Sequence, residues 1–253
     1  GCMMENTFGT MTSKIMKILN KNSNIIEFIC EDTDLDYISK PIPSSKNIPE
    51  WYKKLTTHIG NKKTYSDGHA NSTVKKCMPV FDAMTSGYLI TFPCDVVVTR
   101  NPDGSPEFSW PIQFRMVNGH SYEQASTLKV PSEYGPEFLK WSNPWIIKMP
   151  KGWSVLFVQP MHRDDLPFSI LPGIVDADGF KLSVQFPFLL RKDFVGTISA
   201  GTPMVQITPI KRSDWVAEYS SIERRESQKN LEHHSIYLEN SYKRTCWNKK
   251  SYK

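Results

Sequence analysis

Short apolar runs separated by polar turns dominate the middle of the chain, and several of them alternate apolar and polar positions with a period of two. That period is typical of β-strands with one buried face. Asn101-Pro102-Asp103-Gly104 stands between two such runs and predicts the loop of a hairpin. The pattern predicts strands over residues 25–30, 74–80, 88–92, 95–100, 107–114, 145–148, 154–159, 181–186, 193–199 and 204–208.

The two ends of the chain have other patterns. Prolines interrupt the N-terminal part, as in Pro41-Ile42-Pro43, so an irregular extension is predicted there. After residue 213, Trp215, Tyr219 and Ile222 recur at spacings of four and three residues, which predicts an amphipathic helix. Such a helix must bury its apolar stripe against its own core or against a second copy of the chain. We therefore expect a homo-oligomer that uses this segment.

The composition favours a single core that needs no metal or disulfide. The chain has 253 residues, 39% of them hydrophobic, and its 18 prolines outnumber its 13 glycines. A chain of this length buries about 70–75% of the surface that it exposes when unfolded. We expect a mainly β fold, with a barrel or jelly-roll-like single domain over residues 73–212. An N-terminal extension over 1–72 packs on this core, and a C-terminal helix with a basic tail covers 213–253.

Charge, cysteines and hydropathy exclude several classes of protein. No run approaches the roughly 20 apolar residues of a membrane span, and no signal-peptide run follows the N-terminus, so we expect a cytoplasmic protein without a membrane partner. The five cysteines form no Cys-x-x-Cys pair, and adjacent His233 and His234 would point about 100° apart on a helix, so no metal site is expected. The net charge of +5 is modest, and nucleic acid is not the expected partner.

The most specific pattern lies in the C-terminal half. Leu171-Pro172-Gly173-Ile174-Val175-Asp176-Ala177-Asp178-Gly179-Phe180 is followed, after an apolar run, by Gly201-Thr202-Pro203-Met204-Val205-Gln206-Ile207. In order and spacing, these segments resemble the dUTP pyrophosphatase and dCTP deaminase superfamily. That family has a Gly-Val-Ile-Asp-x-Asp-Tyr motif on a hairpin, and then a strand and a Gly-x-x-Ile-x-Gln-Leu segment.

The resemblance implies a nucleotide site. Asp176 takes the position of the family's general base, which orients and deprotonates the attacking water. Phe180 or Gly179 takes the position of the aromatic ring under the deoxyribose, and Gln206 lies in the family's glutamine-containing segment. The nearest counterpart of the family's phosphate cradle is Pro160-Met161-His162-Arg163-Asp164-Asp165, where Mg²⁺ would have to lie between the carboxylates and a triphosphate. The ligand-binding residues implied in this way are Arg163, Asp164, Asp178, Phe180 and Gln206.

Other features favour a structural interpretation of the same residues. The arginine that precedes the glutamine in the family is absent before Gln206, and no glycine follows Gly201 to form a phosphate-closing arm. Aspartates such as Asp176 and Asp178 are also favoured in turns for backbone reasons alone. The polar cluster after Met161 is likewise typical of a solvated turn with a capping aspartate.

A second resemblance covers more of the chain. Ile48-Pro49-Glu50-Trp51-Tyr52-Lys53, Lys75-Lys76-Cys77-Met78-Pro79, Asp82-Ala83-Met84-Thr85-Ser86-Gly87-Tyr88 and Asn143-Pro144-Trp145, with residues 162–168 and 171–176, look like a family of uncharacterised proteins carried by phages of aquatic bacteria. The resemblance implies a viral context. It places the protein in the cytoplasm of an infected host cell or in association with the virion.

Three functions are compatible with these patterns. The favoured one is a non-catalytic viral accessory or assembly protein, or a small-ligand-binding protein, on a dUTPase-like β scaffold. The alternative is a nucleotide pyrophosphate hydrolase with Asp176 as general base and a nucleotide as partner. The third is a nucleic-acid-binding module, which would need basic residues interleaved with aromatic ones, as only residues 148–153 suggest. No cofactor is expected apart from Mg²⁺ for the hydrolase, and the dUTPase-like scaffold implies a trimer.

Overall fold

The computed structural model describes residues 24–31, 33–60, 71–235 and 240–253. Within these ranges, no helix is both long enough and apolar enough to cross a membrane. Residues 1–23 and 61–70 of the predicted N-terminal extension lie outside the described ranges. The described part of that extension contacts the body. Trp145 donates its indole N–H to the Ser39 carbonyl at 3.2 Å, and Tyr52 donates its hydroxyl to the Lys75 carbonyl at 3.0 Å.

The described elements are short, and most of them are strands. The strands are β1 (Glu27–Ile29), β2 (Ile42–Pro43), β3 (Tyr88–Thr91), β4 (Val96–Arg100), β5 (Pro106–Ser109), β6 (Val117–Gly119), β7 (Leu139–Trp141), β8 (Ile146–Lys148), β9 (Trp153–Val158), β10 (Phe168–Ile170), β11 (Gly173–Val175), β12 (Phe186–Leu190), β13 (Gly196–Ile198) and β14 (Pro203–Lys211). The helices are α1 (Glu50–Lys54), α2 (Met78–Thr85), α3 (Tyr122–Ala125), α4 (Arg224–Ser235) and α5 (Ser241–Thr245), with 3₁₀ turns at Ser44–Lys46 and Val74–Lys76.

The strands pair antiparallel in four open sheets. The largest has the order β11-β9-β14-β3-β2, and the next has the order β10-β12-β7-β6. A three-stranded sheet has the order β13-β4-β5, and β1 pairs with β8 alone. The prediction of a mainly β chain is confirmed. The described strands form no closed barrel, however, since each sheet has two free edges.

A cluster of aromatic rings joins the two larger sheets. Trp141 on β7 is fully buried and stacks on Phe188 of β12, with ring centroids 3.8 Å apart. Phe92, which follows β3 of the other sheet, meets the Trp141 ring edge-on at 4.9 Å. Each such buried aromatic side chain stabilises the fold by about 1.5–3 kcal/mol. The core therefore lies between the two sheets, and the loops at their ends remain free for other roles.

The strand predicted over residues 74–80 is wrong. The chain forms the 3₁₀ turn Val74–Lys76 there and then enters α2. Pro79 explains the difference, because a proline cannot donate a ladder hydrogen bond but fits the first turn of a helix. The apolar run is used instead to pack α2 against the body.

The hairpin predicted around Asp176 is also wrong. Gly179 and Phe180 both donate their backbone N–H to the Asp176 carbonyl at 3.1 Å, which makes a turn. The turn does not connect two paired strands, because β11 pairs with β9 whereas β12 pairs with β10 and β7. Residues 181–185 are irregular, so the strand predicted over 181–186 begins only at its last residue. The chain crosses here from one large sheet to the other.

The helix predicted from residue 213 begins at Arg224 instead. Residues 213–223 have no regular secondary structure and are exposed, with Trp215 at 90% and Tyr219 at 96% exposure. The apolar residues of this segment recur at helical spacing, but their side chains are exposed and are not packed on the body. The chain then returns to the body, where the Trp247 indole N–H donates to Asp82 at 2.9 Å.

Candidate binding cleft

Asp178, one of the predicted ligand residues, is held by an arginine that the sequence patterns did not single out. Arg212, the first residue after β14, donates from both of its Nη atoms to the Asp178 carboxylate. The Gly152 backbone N–H also donates to this carboxylate at 2.8 Å. These bonds, first of all those from Arg212, lower the pKa of Asp178 from 3.8 to about 2. Asp178 therefore carries a fixed negative charge that is already neutralised.

Asp176, the predicted general base, belongs to the same ion pair. Its Oδ1 accepts a hydrogen bond from the Ser154 hydroxyl at 2.7 Å and lies 3.2 Å from Nη1 of Arg212. The side chain is 70% exposed. Because Oδ1 is already bonded to Ser154 and paired with Arg212, the Asp176 carboxylate is suited to fastening the end of β14.

Arg163, predicted for the phosphate, has its guanidinium occupied. It donates from Nε and Nη2 to the two carboxylate oxygens of Asp165, at 2.8 and 2.9 Å, and from Nη1 to Asn47 at 3.4 Å. The Arg163 bond lowers the pKa of Asp165. The backbone carbonyl of Asp164 accepts a bond from Arg191, and the residue itself is exposed. These side chains stabilise the turn after β9.

Gln206, the last of the predicted ligand residues, is buried and fully bonded. Its Oε1 accepts from the Met161 N–H at 2.9 Å, and its Nε2 donates to the carbonyls of Ala83 and Ser86 at 2.8 and 2.7 Å. It pairs in register with Val158, whereas Asp176 is bonded to Ser154. Four residues on a strand span about 13 Å. The structure therefore does not bring Gln206 and Asp176 together, and Phe180 is a half-exposed ring beyond the Asp176 turn.

A larger concavity lies elsewhere, between three loops and the ends of β6 and β7. Its volume is about 810 Å³, within the range of small-molecule sites. Because most of its polar side chains are amides or hydroxyls, we call it the amide cleft. Its lining comprises Glu31, Thr33, Asp34, Tyr37, Gln113, Phe114, Arg115, Asn118, Ser142, Asn143, Pro144, Ser183 and Gln185.

The floor of the amide cleft is fixed by hydrogen bonds. Asn143 is buried and exchanges two bonds of 2.9 Å with the backbone N–H and C=O of Trp145, which locks the Asn-Pro-Trp turn. Asn118 on β6 donates from Nδ2 to the Ser142 hydroxyl at 2.7 Å. The floor is therefore preorganised in the free protein. Its side chains lose less conformational entropy when a ligand binds.

Several polar groups of the cleft have no partner among the described residues. The Oε1 atom of Gln185 is buried without a hydrogen bond, while its Nε2 donates to Ser183 at 3.3 Å. The Gln113 amide is exposed at the rim and makes no bond to another described residue. Arg115 uses only its Nε, which donates to the Val117 carbonyl at 3.2 Å, so both Nη atoms remain available. A ligand with both donors and acceptors would satisfy these groups.

The charged side chains that line the cleft give it a small net negative charge. Glu31 and Asp34 face one arginine, Arg115. Tyr37 donates its hydroxyl to Asp34 at 2.6 Å, and this bond raises the pKa of the Tyr37 hydroxyl. Among the described residues, no cluster of three His, Cys, Asp or Glu side chains is placed to bind a metal ion.

The sequence patterns missed this site for a definite reason. Gln113 and Gln185 both lie in runs that were predicted to be strands, where a polar residue merely marks the exposed face. In the structure, both belong to irregular segments that bend toward the same concavity. The one visible signal was Asn143-Pro144-Trp145, which forms the floor.

No protein-family model matches the chain, and neither a curated protein nor a solved structure is significantly similar to it.

Proposed function

We propose that this protein is a non-catalytic binding protein and that the amide cleft takes a neutral, hydroxyl-rich small molecule of the saccharide class. One observation carries the proposal. A preorganised concavity of about 810 Å³ presents amide, hydroxyl and carboxylate groups, and the exposed Gln113 amide and the Nη atoms of Arg115 make no hydrogen bond to a described residue. Each of these groups can add one hydrogen bond to a ligand, which contributes about 0.5–1.5 kcal/mol.

Hydroxyl-rich ligands fit this lining because each hydroxyl both donates and accepts. The exposed amide of Gln113 offers both a donor and an acceptor, and the Nη atoms of Arg115 need acceptors. A polyol or sugar ring supplies both along one edge. The rings of Tyr37 and Phe114 add apolar surface to the same cleft, against which the C–H face of a sugar can pack.

A nucleoside triphosphate is a poorer fit. Its several negative charges would have to enter a cleft with two carboxylates, Glu31 and Asp34, and a single arginine. At an effective dielectric constant of about 20, two like charges 4 Å apart repel by about 4 kcal/mol. The residues that resemble those of nucleotide hydrolases lie elsewhere and are bonded to one another, which favours binding over hydrolysis.

The resemblance to phage-encoded proteins supports a viral context for this binding role. We propose an accessory protein of an infected bacterial cell, in its cytoplasm or on the virion, with a saccharide as its ligand. A binding role needs no cofactor, in keeping with the composition of the cleft.

Binding is measured with the full chain on a glycan array and by ¹H–¹⁵N NMR titration with glucose, galactose, N-acetylglucosamine and trehalose. We expect at least one saccharide to shift the amides of residues 113–118 and 183–185. Gln113→Ala weakens that binding about 2- to 10-fold, the equivalent of one hydrogen bond of about 0.5–1.5 kcal/mol. Gln228→Ala, which removes an exposed glutamine from α4, is the matched control and leaves it unchanged.

Gln185→Leu separates a ligand-binding role from a structural one. Leucine replaces a buried acceptor that has no partner among the described residues, so stability is retained or raised while saccharide binding falls. An array without any bound glycan, or binding that survives both cleft variants, contradicts the proposal. Pyrophosphate release from dUTP in the presence of Mg²⁺ would support the hydrolase alternative instead.

A further inference from the structure

The segment between β14 and α4, residues 213–223, is an arm without regular secondary structure and with unusual surface chemistry. All of its residues are exposed, and none is in a helix, strand or turn. Its four large apolar side chains face solvent, with exposures of 90% for Trp215, 88% for Val216, 96% for Tyr219 and 54% for Ile222. Large exposed apolar patches are uncommon on monomers and indicate a contact surface.

The arm is tethered at both ends. At its root, Arg212 donates its backbone N–H to the Gly152 carbonyl at 2.9 Å and clamps Asp178 with its guanidinium. Beyond the helices, Trp247 and Lys250 return to the carboxylate of Asp82 at 2.9 and 2.5 Å. The arm is thus an internal segment whose root is fixed on the body.

The body offers a complementary surface beside the root of the arm. Strand β11 pairs with β9 on one side only and forms a free edge of the five-stranded sheet. Its Ile174 is 65% exposed, and Phe180 and Leu182 follow at 43% and 67%. We call β11 with these three side chains the edge patch. A free strand edge is a template for an added strand, which binds through main-chain hydrogen bonds and alternate side chains.

We propose that the arm of one copy of this chain docks on the edge patch of a second copy and adds an extended segment along β11. The Arg212–Asp178 pair places the root of each arm next to the edge patch of its own chain. A two-fold pairing therefore lets each copy give one arm and receive one across the same interface. Lys181, between Phe180 and Leu182, lies where it attracts the acidic arm residues Asp214 and Glu218.

The area involved is sufficient for a stable pair. A buried aromatic side chain hides about 150–250 Å², so Trp215 and Tyr219 from two arms hide about 600–1,000 Å². Val216, Ile222 and the two covered edge patches add to this. The total reaches the roughly 1,200–2,000 Å² of specific protein interfaces. This assembly is independent of the ligand proposed for the amide cleft.

The experiment is analytical ultracentrifugation of the full chain over a range of concentrations. We expect a self-associating species whose dissociation constant rises at least ten-fold in Trp215→Ser/Tyr219→Ser, which alters the arm, and in Ile174→Lys, which alters the edge patch. Leu231→Ser is the matched control. It removes an apolar side chain of α4 that is 68% exposed but lies outside both surfaces, and it leaves association unchanged.

A photo-cross-linking amino acid at position 219 identifies the occupant of the edge patch. Two differently tagged chains are mixed, and we expect cross-links between chains that map to residues 173–182. Three results overturn the proposal: a monomer at all concentrations, cross-links confined to one chain because the arm folds back on its own edge, or association that only the arm variant disrupts.

Discussion

A single residue, Arg212, decides the role of Asp176, which the sequence offered as general base, and of Asp178, which it offered for ligand binding. It neutralises Asp178 through two hydrogen bonds and lies within ion-pair distance of Asp176. A motif search registers the aspartates and their spacing, but the arginine lies 34 residues beyond Asp178. Only the pairing of β14 with β9 brings them together, because Lys211 faces Trp153 in that register.

At the scale of single residues, the ionisation of Asp178 makes the stability of the fold depend on pH. Its pKa falls from 3.8 in the unfolded chain to about 2 in the fold. Because the folded value is the lower one, the ionised carboxylate stabilises the fold fully above about pH 4, and this contribution is lost as the pH falls toward 2. In Arg212→Met, we expect the pKa of Asp178 to return toward its ordinary value and stability to depend less on pH over this window.

Two measurements check this expectation. Carbon-detected NMR follows the Asp178 carboxyl through a pH titration, and urea unfolding is measured at several values between pH 4.5 and 2.5. Arg225→Met is the control, since Arg225 is an exposed residue of α4 without a hydrogen bond to another described residue. An Asp178 pKa that stays near 2 in Arg212→Met would show that the Gly152 N–H, and not the arginine, is responsible.

The same limit on sequence interpretation applies to Gln206. The residue type and spacing of Gln206 match the segment of the family that it resembles. A glutamine that faces a substrate and one that bonds three backbone groups, as Gln206 does, have the same appearance in a sequence. The direction of a polar side chain depends on what the fold places around it. The candidate site was therefore the part that the sequence predicted least, since its amides come from loops far apart in the chain.

At the scale of elements, a strand was predictable where it lies inside a longer apolar run. Strands β3, β4, β9 and β14 were expected, and so were the three-residue strands β1, β8 and β13, which lie inside the predicted runs 25–30, 145–148 and 193–199. Strands β6, β7 and β10 have three residues each and no longer run around them to show a period, and all three were missed. Only the first residue of β12 was expected. The turn at residues 101–104 was predicted by its Asn-Pro-Asp-Gly composition, and it connects the paired strands β4 and β5.

Glycine at the entrance of β3 provides a test at this scale. Gly87 has φ +66°, and a Cβ atom there would lie 1.9 Å from the Ile207 carbonyl oxygen on β14. Gly87→Ala combines a left-handed backbone with a backbone clash, and we expect it to lower the free energy of unfolding by about 2–5 kcal/mol. Urea unfolding followed by circular dichroism measures the change.

Gly104→Ala separates the two causes. Gly104 in the β4–β5 turn has φ +85°, but a Cβ atom there would meet nothing within 4 Å. We expect this variant to lose only about 1–2 kcal/mol, from the backbone conformation alone. Equal losses in the two variants would contradict the close approach of Gly87 to β14.

For the whole molecule, the sequence predicted the mainly β class of fold, but it predicted a barrel where the sheets are open. The alternation of apolar residues predicts the presence of strands, but it does not predict which strands pair. Here Trp141, Phe188 and Phe92 join two open sheets into one core, so no barrel is needed to bury the apolar faces. The C-terminal segment likewise has a helical period at Trp215, but the side chains there are exposed, and the period alone predicted a helix where the chain has no regular secondary structure.

The last prediction contrasts two tryptophans of this segment, one held by the body and one exposed. Trp247 donates its indole N–H to Asp82, lies 5.7 Å below the Lys250 ammonium and is half-buried. We expect Trp247→Ala to lower the free energy of unfolding by about 1–3 kcal/mol, through lost burial and a partly buried carboxylate of Asp82 left with one partner fewer. Trp215→Ala removes an equally large side chain that is 90% exposed, so it changes the stability of the single chain by less than about 0.5 kcal/mol. Urea unfolding at a protein concentration too low for association measures both. Similar losses in the two variants would mean that the arm packs on its own body, and this would contradict both the exposed arm and its docking on a second copy.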